Sequence, residues 1–137
     1  MVEQSLVFIK PDGVKRQLMA EVVGRFERRG FIFRKLELRQ LNSEEVDRHY
    51  EEHVGRDFYP RLKDFILSGP VLIMVLEGPR AIDTIRKMVG VTDSLDAEPG
   101  TIRGDLSLDK GQNVVHASDS EASAKREIEN FFGALVH

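Results

Sequence analysis

Apolar residues along this chain keep two rhythms, compact runs suited to strands and spaced sets suited to helices, with glycine, proline and charge between them. The first run, Ser5–Ile9, fits a central strand and is stopped by Lys10-Pro11-Asp12-Gly13, which puts Lys10 at a strand end. Met19, Val22, Val23 and Phe26 then recur at helical spacing, with Gly30 placed as a C-terminal cap. Phe31 to Leu41 alternates, with a slip of phase between Phe33 and Leu36 that predicts a bulge. Asn42 or Ser43 caps a helix expected to run through about Val54, and a second covers Asp57 to Leu67 before Ser68-Gly69-Pro70 ends it. Val71–Leu76 is apolar throughout, as a strand covered on both faces should be. Ile82, Ile85, Met88 and Val89 mark a helix from Arg80 to Val89, and Gly90 closes it. The stretch from Val91 to Asp105 is sparse in apolar residues and reads as a long, functional loop. Asn113–His116 is a last short strand. Ser118 and Glu121 are spaced as a capping box for a final helix over Asp119–Phe132.

This order of strand, helix, strand, helical insert, strand, helix, strand, helix pairs two βαβ units into a four-stranded antiparallel sheet with helices on one face. The expected fold class is therefore α+β, the ferredoxin-like or split βαβ arrangement, with a helical insert between strands 2 and 3. A doubly wound parallel sheet would need more strands, each followed directly by its crossover helix. Residues 1–137 suit a single domain. A charged fraction of 31% and a net charge of -3 leave no broad basic field, so no nucleic-acid partner is expected. With no cysteine there is no disulfide framework or thiolate metal site. The first residues carry no secretory pattern and no apolar run approaches the ~20 residues of a membrane helix, so the expectation is a cytoplasmic protein without a membrane partner.

Candidate chemistry centres on the octet Asn113 to Ser120. His116 stands where a strand gives way to a helix start, and free backbone amides at such a junction suit phosphate. A neutral imidazole, with an ordinary pKa of roughly 6.5, can attack a phosphoryl group without a separate base. A histidine that merely finishes a strand is the competing reading. Phosphoryl transfer needs cations around the anionic oxygens, and Lys10, Arg86 and Arg103 lie at a strand end, on a helix and late in the long loop. Taken alone, each reads better as a solvated surface charge. No Gly-x-x-x-x-Gly-Lys-Ser/Thr loop occurs, so a nucleotide must be held in another way. His49-Tyr50-Glu51-Glu52-His53 also fits the His-x-x-Glu-His zinc pattern, although no third ligand can be named, and otherwise His49 and His53 are solvated helix residues. His137 reads as a terminal histidine. A nucleotide-binding or nucleic-acid-binding module without catalysis is a further alternative, and it has no use for a nucleophile.

Ile-Lys-Pro-Asp-Gly-Val at 9–14, Ser-Gly-Pro-Val at 68–71, Pro-Gly-Thr-Ile-Arg-Gly-Asp at 99–105 and Asn-x-x-His-x-Ser-Asp-Ser at 113–120 together resemble the nucleoside diphosphate kinase family over essentially the whole chain. The resemblance implies a ping-pong exchange. A nucleoside triphosphate would phosphorylate His116 at its pros nitrogen, and the phosphohistidine would pass the group to a nucleoside diphosphate. Mg²⁺ would be held mainly by the nucleotide phosphates. By the same resemblance Lys10, Arg86, Thr92 and Arg103 contact phosphate, Tyr50 lies near Lys10 and the nucleophile, Asn113 meets the ribose and Phe58 stacks on the base. Ser118 and Glu127 orient His116. Stacking recognises a face that every base has, so base specificity should be broad. Without the resemblance, Glu127 reads as a surface glutamate and Phe58 and Tyr50 as core residues. Three positions depart from the family's usual form: Ala117 where glycine is common, Ser94 where proline is common, and Lys110 where an apolar residue often forms a second wall of the base site. The implied assembly is a homo-oligomer, hexamer favoured and tetramer possible. The sequence ends at His137, before the extension that holds subunits together in some longer relatives.

Overall fold

Alternation along the two longest apolar strands sends side chains to both sides of a single sheet, and this sets the architecture. In the computed structural model, which describes residues 2–133, β1 (Val2–Ile9), β2 (Ile32–Arg39), β3 (Val71–Pro79) and β4 (Val115–Ala117) form an antiparallel sheet in the order β2-β3-β1-β4. Val7, Ile9, Leu72, Met74 and Leu76 face one side, where α2 (Met19–Arg29) and α5 (Ala81–Val89) cover them through Val22, Phe26, Ile85 and Val89. Leu6, Phe8, Val71, Ile73 and Val75 face the other, under α3 (Ser43–His49), α4 (Tyr59–Ile66) and α7 (Glu121–Phe132), which contribute Val46, Ile66, Ile128 and Phe131. The ferredoxin-like α+β fold is as expected, but helices lie on both faces of the sheet and not on one. Two apolar parities in β1 and β3 require two covers. Each fully buried aliphatic or aromatic side chain contributes about 1.5–3 kcal/mol relative to exposure.

Several boundaries differ from the sequence reading, each for a local reason. Lys10-Pro11-Asp12-Gly13 does more than stop a strand, because Pro11 opens a short helix, α1 (Pro11–Lys15), at the position that needs no N–H. Gly13 is required there, since a Cβ would stand 2.6 Å from Ile9 Cγ2 and 3.1 Å from Val114. The predicted bulge is present between Phe33 and Lys35, and it keeps Phe33, Leu36 and Leu38 opposite Leu76, Met74 and Leu72 on one face. Asn42 forms a full capping box with Glu45. That helix ends at His49 and not near Val54, because the next amides, His53 to Tyr50 and Arg56 to His53, bond three residues back. The expected long loop contains a 3₁₀ turn (Ser94–Asp96) and α6 (Ile102–Leu106), started by Asp93 and Thr101 side chains. Ser94 is buried in that turn. Ser120, not Ser118, caps α7, its hydroxyl accepting from Ser123 N at 3.0 Å. His137 lies outside the described residues.

Candidate active site

Val114 takes φ of 76°, a left-handed conformation that is costly for a β-branched residue, roughly 1–3 kcal/mol. This is why β4 starts at Val115 instead of Asn113. Val115 N bonds Asn113 O at 2.9 Å across it, closing a γ-turn. The turn is held from outside: Val114 N donates to Asp12 Oδ2 at 3.0 Å, and Lys10 N donates to Val114 O at 2.8 Å. Asp12 was not singled out from sequence, where it looked like part of a turn. Asp12→Ala should therefore destabilise the fold by about 1–3 kcal/mol by orphaning a buried amide, measurable by urea denaturation. Unchanged stability would contradict this account of the turn.

From that turn His116 projects over Phe8, with ring centroids 4.9 Å apart and nearly parallel. Its Nε2 lies 3.2 Å from Glu127 Oε1, which also accepts from Ser118 Oγ at 2.7 Å. Ser118 is wholly buried and accepts in turn from Leu6 N at 3.0 Å, so it ties the pair to β1. Burial pushes the Glu127 carboxyl up, but the charge and hydrogen bond of His116, with His49 and Ser118, outweigh it and hold the group below the usual carboxylate range. An ionised carboxylate only accepts, hence His116 carries its proton on Nε2. Nδ1 is left without a hydrogen-bond partner among the described residues.

Lys10 is buried and its Nζ donates to Asn113 Oδ1 at 2.8 Å. Burial, with the Arg103 charge in support and Asp12 pulling the other way, lowers its pKa to about 8. An anion arriving beside it would relieve that stress. Arg103 spreads its guanidinium over three carbonyls, Asn113 O at 3.4 Å, Gly90 O at 3.0 Å and Val115 O at 2.6 Å. Burial and then the Arg86 charge bring it down to about 10, so it stays cationic near neutrality. Asn113 is equally engaged, its amide nitrogen donating to Thr92 O at 3.0 Å and Lys110 O at 2.8 Å.

These groups line one cleft of about 1040 Å³, together with Tyr50, Phe58, Arg86, Thr92, Lys110 and Glu127. Of the residues expected from sequence, all reach this cleft except Ser118, which stands behind Glu127. Phe58 is 46% exposed, with its ring edge against His53 at 5.4 Å. Tyr50 is half-buried, and burial raises its phenol. Arg86 and Thr92 are exposed. Ala117 lies within β4 at negative φ, so it fits where glycine is usual. Lys110 stands on the cleft wall.

His49 is where the sequence reading fails. It is not a solvated helix residue but a buried one, with its ring 4.5 Å from that of His116 at 82° and 5.4 Å from that of Phe8. Only its last place in α3, turned inward with Val46, marks it. Burial first, then the charge of His116, lowers its pKa to about 3, so it is neutral. Its Nδ1 is buried without a hydrogen-bond partner, 3.8 Å from Glu127 Oε2. His53 lies beyond the end of α3, so the His-x-x-Glu-His pattern does not present two histidines on one helix.

The sequence profile of the family described as "Nucleoside diphosphate kinase" matches residues 3–135. A protein of that name from Cutibacterium acnes is 52% identical over 134 residues, covering 98% of this chain and 97% of its own. Another, from Hyperthermus butylicus, is 51% identical over 131 residues, with 96% and 92% covered. Among solved structures, the nucleoside diphosphate kinase of Encephalitozoon cuniculi superimposes with a TM-score of 0.95 at 33% identity, covering 98% of this chain and 92% of its own. That of Halobacterium salinarum, solved in complex with CDP, gives 0.93 at 42% identity, with 96% and 88% covered.

Proposed function

The chain belongs to the nucleoside diphosphate kinase family, and from that premise we propose how its cleft moves a phosphoryl group. The enzyme is a phosphotransferase that carries the γ-phosphoryl group of a nucleoside triphosphate to a nucleoside diphosphate through a phosphohistidine. His116 Nδ1 attacks the γ-phosphorus, the bond to the β-phosphate oxygen breaks, and the diphosphate leaves. A second diphosphate then reverses the step. The observation that carries this reading is His116 Nε2 held by an ionised, buried Glu127 while Nδ1 keeps its lone pair in a cleft lined by Lys10, Arg86 and Arg103. As positive charge develops on the ring, Glu127 stabilises it through Nε2–H. Ser118 fixes the carboxylate and Lys10 and Arg103 meet phosphate oxygens in a water-poor setting. Arg86 and Thr92, at the exposed rim, take the outer phosphates. Tyr50 sits beside the nucleophile, and Asn113, already bound to Lys10, offers its remaining lone pair to the ribose.

Phe58 at the mouth stacks on any base, which supports broad specificity. Lys110, which lines the same cleft, would offer its aliphatic stem as a second surface for the base. The cleft fits a nucleotide bearing Mg²⁺, because its cations outnumber the carboxylates that could compete for the metal. Asp119, which feels both Arg86 and His116 and is held below the ordinary range first by its hydrogen bond with Ser123, is a cleft carboxylate that would be available to help hold the ion. Bound Mg²⁺ would neutralise charge on the phosphates. Incubation with γ-labelled ATP and Mg²⁺ without acceptor should label His116 in acid-labile, alkali-stable form, and added diphosphate should remove the label. An unlabelled, folded protein would overturn the mechanism.

Residues 1–137 act as one catalytic unit in the cytoplasm, and among the described residues no helix is long and apolar enough to cross a membrane. The protein self-associates, a hexamer being favoured over a tetramer by the family resemblance alone, and self-association as such is supported by β2. This edge strand leaves Leu36 and Leu38 more than half exposed on the same face as buried Met74 and Leu72. Leu36→Asp with Leu38→Asp should shift the mass measured by light scattering toward the 15.6 kDa monomer. An unchanged assembly would place the interface elsewhere.

A further inference from the structure

We propose that His49, His116 and Glu127 form a zinc-binding site on the inner side of the nucleophile, and that a bound zinc ion switches the enzyme off by taking the Nε2 lone pair of His116. The inference rests on the phosphohistidine reading for its effect on activity, but not for the site itself. One ligand atom from each of the three residues lies within 4.8 Å of the other two, with His116 Nε2 3.2 Å and His49 Nδ1 3.8 Å from the two oxygens of Glu127. A tetrahedral zinc ion with nitrogen and oxygen ligands at roughly 2.0–2.1 Å sets those atoms about 3.4 Å apart, so a closure of up to about 1.4 Å completes the set. His49 gives the second observation. Its Nδ1 is a buried nitrogen with no hydrogen-bond partner, aimed at the same carboxylate, a position of the kind that a metal ligand fills.

Two imidazoles and one carboxylate suit zinc, whereas magnesium prefers oxygen alone. Lys10 and Arg126 also press on His49 with positive charge, a repulsion that two imidazole lone pairs and the ionised Glu127 must outweigh for zinc to bind. The cleft reaches His49, His116 and Glu127, so an entry path exists and a water can take the fourth position.

The consequence for the nucleophile follows from proton count. A neutral imidazole has one proton and one lone pair. In the free enzyme the proton is on Nε2 and the lone pair on Nδ1. Zinc on Nε2 moves the proton to Nδ1, so the attacking atom has no lone pair to give. Glu127 exchanges its hydrogen bond for a metal bond, and no electron is transferred.

The test begins with chelator-treated, folded protein dialysed against zinc chloride at neutral pH without nucleotide. The expected result is one zinc per chain, lost in His49→Phe by about 100-fold in affinity, since even outer partners of a metal are worth roughly 10–100-fold. His53→Ala should bind like the parent. Cobalt(II) added to the unaltered protein should give the strong visible bands of a four-coordinate ion, a readout that does not depend on the variant folding. Labelling by γ-labelled ATP with excess Mg²⁺ should fall in proportion to zinc occupancy and return on chelation. No zinc uptake, equal uptake by folded His49→Phe, or full labelling at full occupancy would each overturn the proposal. Failure of the kinase reading shows separately, as zinc-free protein that takes no label.

Discussion

His116→Ala should lower kcat on the order of 10⁵-fold or more, the scale seen when a covalent nucleophile is removed, while the protein remains folded. The side chain is part-exposed at the cleft, and its removal costs one stack on Phe8, one edge contact with His49 and one contact with Glu127. Glu127 keeps its bond from Ser118, so no buried carboxylate is left bare. Stability should fall far less than activity. Turnover by coupled assay, label uptake and a urea melt on the same sample separate the two. Near-normal turnover would mean that phosphate passes directly between nucleotides, and the covalent step would have to be abandoned.

Arg103→Ala should reduce kcat by on the order of 10²-fold or more, the usual loss when a preorganised group stabilising transition-state charge is deleted. Here the loss has two sources. The guanidinium supplies charge in the cleft, and its forked contacts with Gly90, Asn113 and Val115 carbonyls brace the segment that carries His116. Arg103→Lys separates them, because it keeps a cation but cannot span three carbonyls. If bracing dominates, both variants lose kcat alike and both unfold at lower urea. If charge dominates, the lysine form recovers much of the rate. An alanine variant with parental kcat would remove Arg103 from the mechanism.

Much of this site could be read from sequence because its parts sit in separated, chemically odd positions. Lys10 before a proline, Arg103 between Gly100 and Gly104, and His116 closing an apolar run each break a local pattern, and the cleft gathers them. His49 breaks none. It occupies a charged helix end, and only packing against Phe8, Tyr50 and Phe131 turns it inward. Asp12 was hidden for a different reason, since its partner amide belongs to a residue 102 positions away. The wrong cap at Ser118 has the same origin: a serine three residues before a glutamate satisfies the local rule, but a buried tertiary partner, Glu127, claimed the hydroxyl first. Burial of both faces of β1 and β3 was written in Val71–Leu76, yet the expectation of helices on one face ignored it.

The central place of β1 also bears on how the enzyme comes into being during synthesis. Its outer neighbour β4 carries His116, and the γ-turn at Val114 is clamped by Asp12 and Lys10, more than a hundred residues upstream. Lys10 and Asp12 must therefore wait for the segment around Val114, more than a hundred positions later in synthesis, before the catalytic centre exists. A chain stalled after β3 can pair β1 with β3 and bury much of its core, but it carries no competence to accept phosphate. Contacts this distant in sequence are slow to form, so activity should be the final property gained on refolding, appearing after the bulk of the secondary structure has already returned.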